Sequence, residues 1–472
     1  MKHHKWIAAA TGCTLLLSLA LTGCGTKENA AESASPATET AAASGTYLTA
    51  DDISINETLE NTSDGEHVIT ADGTDASYSN IAVNKTGEAD GDEADFYGEN
   101  AAIFAANGAA LDLTELLITT NGTHANAVFS YGEGTTVNIS DSVIETSGNC
   151  SGGLMTTGGG TMNASNLTIH TTGNSSAAIR SDRGGGTVNV TGGSYTTDGT
   201  GSPVIYSTAD VTVSDAELTS TASQGVVVEG KNSVTLKNVD LTASNTTKNS
   251  DKSDWYQAVM LYQSMSGDAD AGTSGFTMEG GSLTNLNGDV FFVNNTVATI
   301  TLKNAAITNK ADGVFLRAAA AGWGREGSNG GQVTLNASNQ TIDGDMLVDE
   351  VSNLNLYLTD GSVFTGSINP DGQAGEVYVS LTGGATWTLT ADSYITSLTC
   401  DADSIDLNGH TLYVNGVAYT AGTASSGTAI EVTVSAAGGP GEMGEPPEGG
   451  PGDPPSGEHG GPPSGGKPPE RP

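Results

Sequence analysis

An apolar tetrapeptide that returns at a near-constant interval restricts this chain more than any other feature. It reads AAIF at 101, NAVF at 126, GGLM at 152, AAIR at 177 and PVIY at 203. Its anchors Ile103, Val128, Leu154, Ile179 and Ile205 form an almost even series, a fixed period of the kind that stacked repeats leave in a sequence. VVVE at 226, AVML at 258, DVFF at 289, GVFL at 313 and DMLV at 345 continue it less evenly. Each unit also holds a strand that alternates apolar and polar, such as TVNIS at 136, TMNAS at 161 and TVNVT at 187. Period two sends alternate side chains to opposite faces. Shortly after the last inward position comes another apolar one, as in Ile139/Ile144, Val190/Tyr195 and Leu236/Leu241. Gly, Asn, Asp and Ser fill the corners. Three short strands per unit cannot close a core alone, but stacked units can.

The pattern resembles the right-handed parallel β-helix of the pectate-lyase-like superfamily, over residues 51–420. The resemblance implies an all-β, three-sided solenoid with coils of roughly 22–33 residues, within the range of known solenoid repeats. Stacked coils also imply a rod, expected to be monomeric, while the composition of the two ends implies disordered termini. The resemblance rests on the repeat and not on a short motif. Two kinds of function accompany such folds. One is adhesion or glycan binding, as in β-helix adhesins; the other is a polysaccharide lyase or hydrolase that uses Ca²⁺ and an arginine base. Fold alone does not choose between them.

The two ends differ from the repeat. Residues 1–23 have a basic start and an apolar run, Ile7 to Leu21, that is short for a membrane span. LTGC, ending at Cys24, resembles the lipobox of bacterial lipoproteins, which implies lipidation of Cys24 and attachment to the cell membrane at the surface. Residues 24–50 read as a flexible tether, and 421–437 as the end of the fold. Residues 438–472 hold eleven of the fourteen prolines, a composition that cannot bury a core.

A net charge of −39, from 55 acidic and 16 basic residues, excludes nucleic acid as a partner. It suits divalent cations, or simply solubility. GEADGDEADFYGEN offers Asp90, Asp92 and Asp95 as Ca²⁺ ligands, since hard cations prefer oxygens at alternate positions. Cys150 and Cys400 lie too many coils apart for a disulfide. There is no CxxC, and His67, His124, His170 and His410 are scattered, which argues against zinc.

Stacking turns outward residues into columns. The alternating strand gives Asn138, Asn163, Asn189, then Thr212, Thr235, Thr277, Thr301 and Thr334. Such a column suits an exposed strand with amide ladders between rungs. The tetrapeptide strand gives Phe104, Phe129, Met155, Arg180, Tyr206, Val228, Leu261, Phe292, Leu316 and Val348. An apolar ridge of this kind needs a cover, a partner or a bend that buries it. Long insertions after it carry Tyr262, Trp323 and Arg325, and a third, from the preceding corner, carries Trp255 and Tyr256. With Arg180 and Tyr206 these are the candidate ligand-binding residues, because aromatics on loops over a rigid scaffold stack on sugars or dock proteins. Arg180 and Arg183 around Asp182 admit three readings: a structural pairing with Arg180 over Tyr206, a ligand clamp, or the catalytic group of the lyase reading.

Overall fold

The computed structural model describes residues 47–248, 252–264 and 266–432. Residues 1–46, with Cys24, and 433–472, with the proline-rich segment, lie outside the described residues. Among those described, three long sheets receive the chain in turn, with 11, 14 and 10 strands. Sheet one includes Ile103–Ala106, Val128–Tyr131, Leu154–Thr157 and Ile179–Ser181. Sheet two includes Ala110–Thr114, Thr136–Ser140, Gly160–Ser165 and Gly186–Thr191. Sheet three includes Leu117–Thr120, Val143–Thr146, Thr168–Thr171 and Ser194–Thr197.

Apart from the terminal strand Ser425–Ser426, neighbours within these sheets are successive passages of the chain and run parallel. Val128 pairs with Leu154 and Leu154 with Ile179; Asn138 pairs with Asn163 and Asn163 with Asn189. The sequence period is therefore the distance between rungs. The inward residues of all three sheets form one apolar core, which includes Ile103, Val128, Ile139, Ile144, Val190 and Tyr195. Near the C-terminal end, Ser425–Ser426 pairs antiparallel with Ser397–Cys400 and so covers part of the last parallel edge.

The corner between sheets three and one is built from a Gly and the Ser that follows it one short turn later. A Cβ on Gly148 would stand 1.9 Å from the Gly122 carbonyl oxygen, and one on Gly173 1.8 Å from that of Gly148. No side chain fits between these backbones. Ser151, Ser176 and Ser202 donate their hydroxyls to the carbonyls of Gly122, Gly148 and Gly173 at 2.7, 3.0 and 2.8 Å. The same hydroxyl oxygens accept from the backbone N–H of Ala125, Ser151 and Ser176 at 2.9, 3.0 and 2.9 Å. A buried corner thereby keeps its polar groups paired.

The outward column of sheet one follows the expected order as far as Tyr206 and then departs from it. Tyr206 pairs with Val227, which aligns with Met260, Phe292, Arg317 and Leu347. Val228, Leu261, Leu316 and Val348 point inward and are buried instead. In runs such as Val226–Val228 both faces are buried, so alternation cannot say which column is inside. On sheet two, Thr301 aligns with Asn336 and not with Thr334.

The ridge itself is covered by the chain's own insertions, not by a bend. The short helix Asp92–Phe96 and the turn after it lie over the first part. There Phe129 and Met155 are fully buried and pack with Ala101, Phe104 and Tyr131. The turn is so close that a Cβ on Gly98 would meet the Phe104 ring at 2.5 Å. A second external cluster joins Val227, Met260, Tyr262, Phe292 and Ala319, with Tyr206, Trp255 and Trp323 packed against it.

Candidate functional site

Arg180 lies between the two covered stretches. Its Nη2 donates to Asp182 Oδ2 at 2.8 Å, and its guanidinium carbon stands 6.0 Å from the centre of the Tyr206 ring. Burial weighs against its charge, but the charge and hydrogen bond of Asp182 outweigh burial and hold Arg180 above its ordinary range. Asp182 also accepts from the backbone N–H of Arg183 at 3.0 Å. Arg183 turns the other way. Its Nε and Nη2 meet Asp268 Oδ1 at 3.0 and 2.9 Å, its Nη1 meets Asp92 at 3.2 Å, and it lies 3.7 Å over the Phe96 ring. It therefore fastens the short helix to the loop that contains Asp268. Of the two arginines, one is paired within its own turn and the other joins two insertions.

A second arginine occupies the same column, and the expected register hides it. Arg317 Nε donates to Asp289 Oδ2 at 2.6 Å, and its guanidinium lies 4.7 Å from the Trp255 ring centre. Only the paired register of the strands reveals that Arg317, not Leu316, faces outward.

Five of the expected ligand residues line one cleft of about 250 Å³: Tyr206, Trp255, Tyr256, Tyr262 and Trp323. Sheet one supplies Tyr206 and Tyr262, and two insertions bring the other three. The amide of Asn329 binds the carbonyls of Ala321 and Trp323 at 2.6 and 2.8 Å, and the Gly322 N–H meets Lys252 O at 2.6 Å. These bonds fix one insertion and tie it to the other. Tyr262 and Trp323 meet edge to face at 5.3 Å. Glu229, outside the lining and 1% exposed, accepts from the hydroxyls of both Tyr206 and Tyr262. Burial, with the Glu229 charge, pushes both phenols well above their ordinary range, so they remain donors. Lys248 and Lys252 line the cleft as well, and Asn245 and Gln257 each keep a buried side-chain oxygen without a donor. Arg325 is exposed and is not part of the lining.

The outer face of sheet two is a shallow polar surface. Asn138 donates to Asp112 at 2.8 Å, Asn163 to Asn138 at 2.9 Å and Asn189 to Asn163 at 3.0 Å. This is the amide ladder that the column predicts.

Of the acidic trio, Asp90 is exposed, Asp92 binds Arg183, and Asp95 turns toward His124. The histidines do not all stay scattered. One ligand atom each from Asp95, His124 and Cys150 lie within 4.8 Å of one another. His124 and Cys150 stand one coil apart, and that interval was the available sequence signal. Asp95 and Cys150 hold the His124 imidazole up, to about 9. Cys150 and Cys400 are both free thiols. No protein-family model matches the chain, and no curated protein sequence matches it significantly.

Proposed function

We propose that this chain is a lipid-anchored, extracytoplasmic binding protein that holds glycan in the cleft beside sheet one. In this reading the domain is a right-handed parallel β-helix similar to that of the pectate-lyase-like superfamily. The succession of three parallel sheets, each taking one strand per coil, supports that architecture. The observation that carries the function is convergence: five aromatics from separate coils and two insertions line a single cleft. Sugar rings stack on such faces. Lys248, which also stands 3.6 Å from Asp254, and Lys252 place two cations at the cleft of a chain of net charge −39, which favours an anionic sugar over a neutral one. Binding is favoured over lyase chemistry because Arg180 and Arg317 are each engaged by a carboxylate. A base must be able to take up a proton, and a guanidinium held charged by its partner does not.

The test is calorimetric titration with uronate-containing and neutral oligosaccharides. The acidic series should bind more tightly. Trp323→Ala and Tyr256→Ala should each weaken binding by about 1–3 kcal/mol, as for an anchor residue at an interface. Unchanged affinity in both variants rejects the cleft. Release of unsaturated sugar ends that disappears in Arg180→Ala would establish the lyase instead.

A further inference from the structure

We propose that Asp95, His124 and Cys150 form a three-ligand zinc site where the short helix meets the first coils. Their ligand atoms converge within 4.8 Å, and His124 Nδ1 stands 3.0 Å from an Asp95 oxygen. A tetrahedral ion with bonds of ~2.1 Å would set neighbouring N and O ligands about 3.4 Å apart. Small side-chain movements close the set around one ion.

His124 supplies the second, independent observation. It is 7% exposed, and its Nδ1 makes no hydrogen bond. The Asp95 oxygen is near enough but lies off the direction in which a ring N–H would point. A buried ring nitrogen 3.0 Å from a carboxylate but without a well-directed hydrogen bond to it, with a thiol sulfur in the same 4.8 Å group, is the arrangement that an intervening cation completes.

A thiol–imidazole–carboxylate relay is a different arrangement. It needs thiol and carboxylate on the two separate ring nitrogens, so the ring would hold them apart. Here the Cys150 sulfur and the Asp95 oxygen are themselves within 4.8 Å. The donor types choose among metals. Thiolate and imidazole suit Zn²⁺, whereas Ca²⁺ takes oxygens. Charge agrees, because a carboxylate, a thiolate and a neutral imidazole balance a divalent ion and leave no uncompensated charge in a half-buried place.

The fold accounts for the convergence. His124 and Cys150 occupy the same corner position in successive coils, with φ of 56° and 53°. Their backbone N–H groups bond forward to Asn149 and Asn174 at 2.9 and 2.8 Å. The stacking rung thus sets the two ligands side by side, at about 4.8 Å. Asp95 arrives on the helix Asp92–Phe96, the non-repeating element that Arg183 ties down. This proposal does not depend on glycan binding, because the cleft shares none of these residues.

The experiment uses the full-length protein, stripped with chelator and titrated with Co²⁺ as a spectroscopic stand-in for Zn²⁺. One equivalent should produce the sulfur-to-cobalt charge-transfer band and the intense visible bands of a tetrahedral ion. Zn²⁺ should abolish them and Ca²⁺ should not. Cys150→Ser should remove the charge-transfer band, while Cys400→Ser should retain it. His124→Ala should weaken Co²⁺ binding by about 100-fold or more, at or beyond the upper end of what losing a supporting partner costs. Circular dichroism melts of each variant without metal identify any that fail to fold, and Asp95→Asn serves as the milder second variant. Wild-type protein that gives no charge-transfer band overturns the proposal, as does a band that survives Cys150→Ser.

Discussion

The outer faces of sheets one and two are made from the same coils and meet solvent in opposite ways. Sheet two completes itself. Its outward asparagines bond to the next asparagine along, so each coil satisfies the one before it. Sheet one cannot do this, because its outward column is Phe104, Phe129 and Met155 and, later, Met260 and Phe292. Rings and thioethers have no hydrogen bond to pass along a ladder. That face is finished by segments outside the repeat: the short helix with its following turn, and the insertions before Gln257 and after Ala318. Repetition therefore produces a surface, while departure from repetition produces places. The cleft and the Asp95–His124–Cys150 cluster both lie where an insertion crosses sheet one or the corner that leads into it.

This contrast can be broken or sharpened by substitution. The largest effect is expected at Phe129→Ala. It empties a fully buried site under the short helix and should cost about 3–5 kcal/mol in urea unfolding. A cost below about 1 kcal/mol would mean that the cover is loosely held and that the two faces are less different than they look. Gly148→Ala follows. Its new methyl meets the Gly122 carbonyl at 1.9 Å in the buried corner that joins sheets three and one, so a loss of about 3 kcal/mol is expected. The same substitution at Gly132, where a Cβ meets nothing within 4 Å, is the comparison for space, although its φ of 89° adds strain. Asn163→Ala comes next. It removes a rung of an exposed ladder and should cost about 1 kcal/mol. A loss as large as that of Phe129→Ala would show the ladder to be structural in its own right.

The smallest effect is a pH dependence. His67 stacks on Phe104 at 4.6 Å and its Nδ1 donates to Ala101 O at 2.8 Å. Burial holds the imidazole below its ordinary value, against the pull of that bond and of Glu66, with Lys85 adding to the lowering. A base with a depressed folded value binds fewer protons folded than unfolded. Its contribution is therefore fully present above about pH 6.5 and falls as the pH drops below that. The stability of wild type relative to His67→Phe should decline between about pH 7 and pH 5. A flat difference would show that His67 remains solvated beside the cover.

The sequence made the repeat legible because stacking imposes a translation, and a translation leaves a period. It made the sheet two ladder legible because one face there is wet, so Asn163 and its neighbours alternate with Met162 and Ala164. The sheet one register became illegible after Tyr206 for the converse reason. Once an insertion covers the outer face, Val226, Val227 and Val228 are equally apolar and all buried, and period two vanishes. Arg317 was hidden by that slip. The candidate aromatics were legible as a group, since Trp255 and Trp323 stood out on insertions, but their meeting in one cleft depended on loop bonds such as Gly322 to Lys252. His124 and Cys150 were in plain view, separated by a single repeat. Familiar metal spacings come from helices, hairpins and knuckles, and in a stacked chain the relevant interval is the coil.

The corner of nested glycines also sets which lengths this chain can have. Gly122, Gly148, Gly173 and Gly199 each lie against the carbonyl of the glycine one coil before, or of its equivalent. Among these coils, losing or duplicating a whole one leaves a glycine facing a glycine and the interior unbroken. Gaining a few residues inside a strand drives a side chain into that column. Changes of length are thus confined to whole coils or to loops, and the two act differently. A loop alters one place, whereas a coil inserted between Arg183 and Asp268 would move the insertions apart by one rung and leave each of them intact.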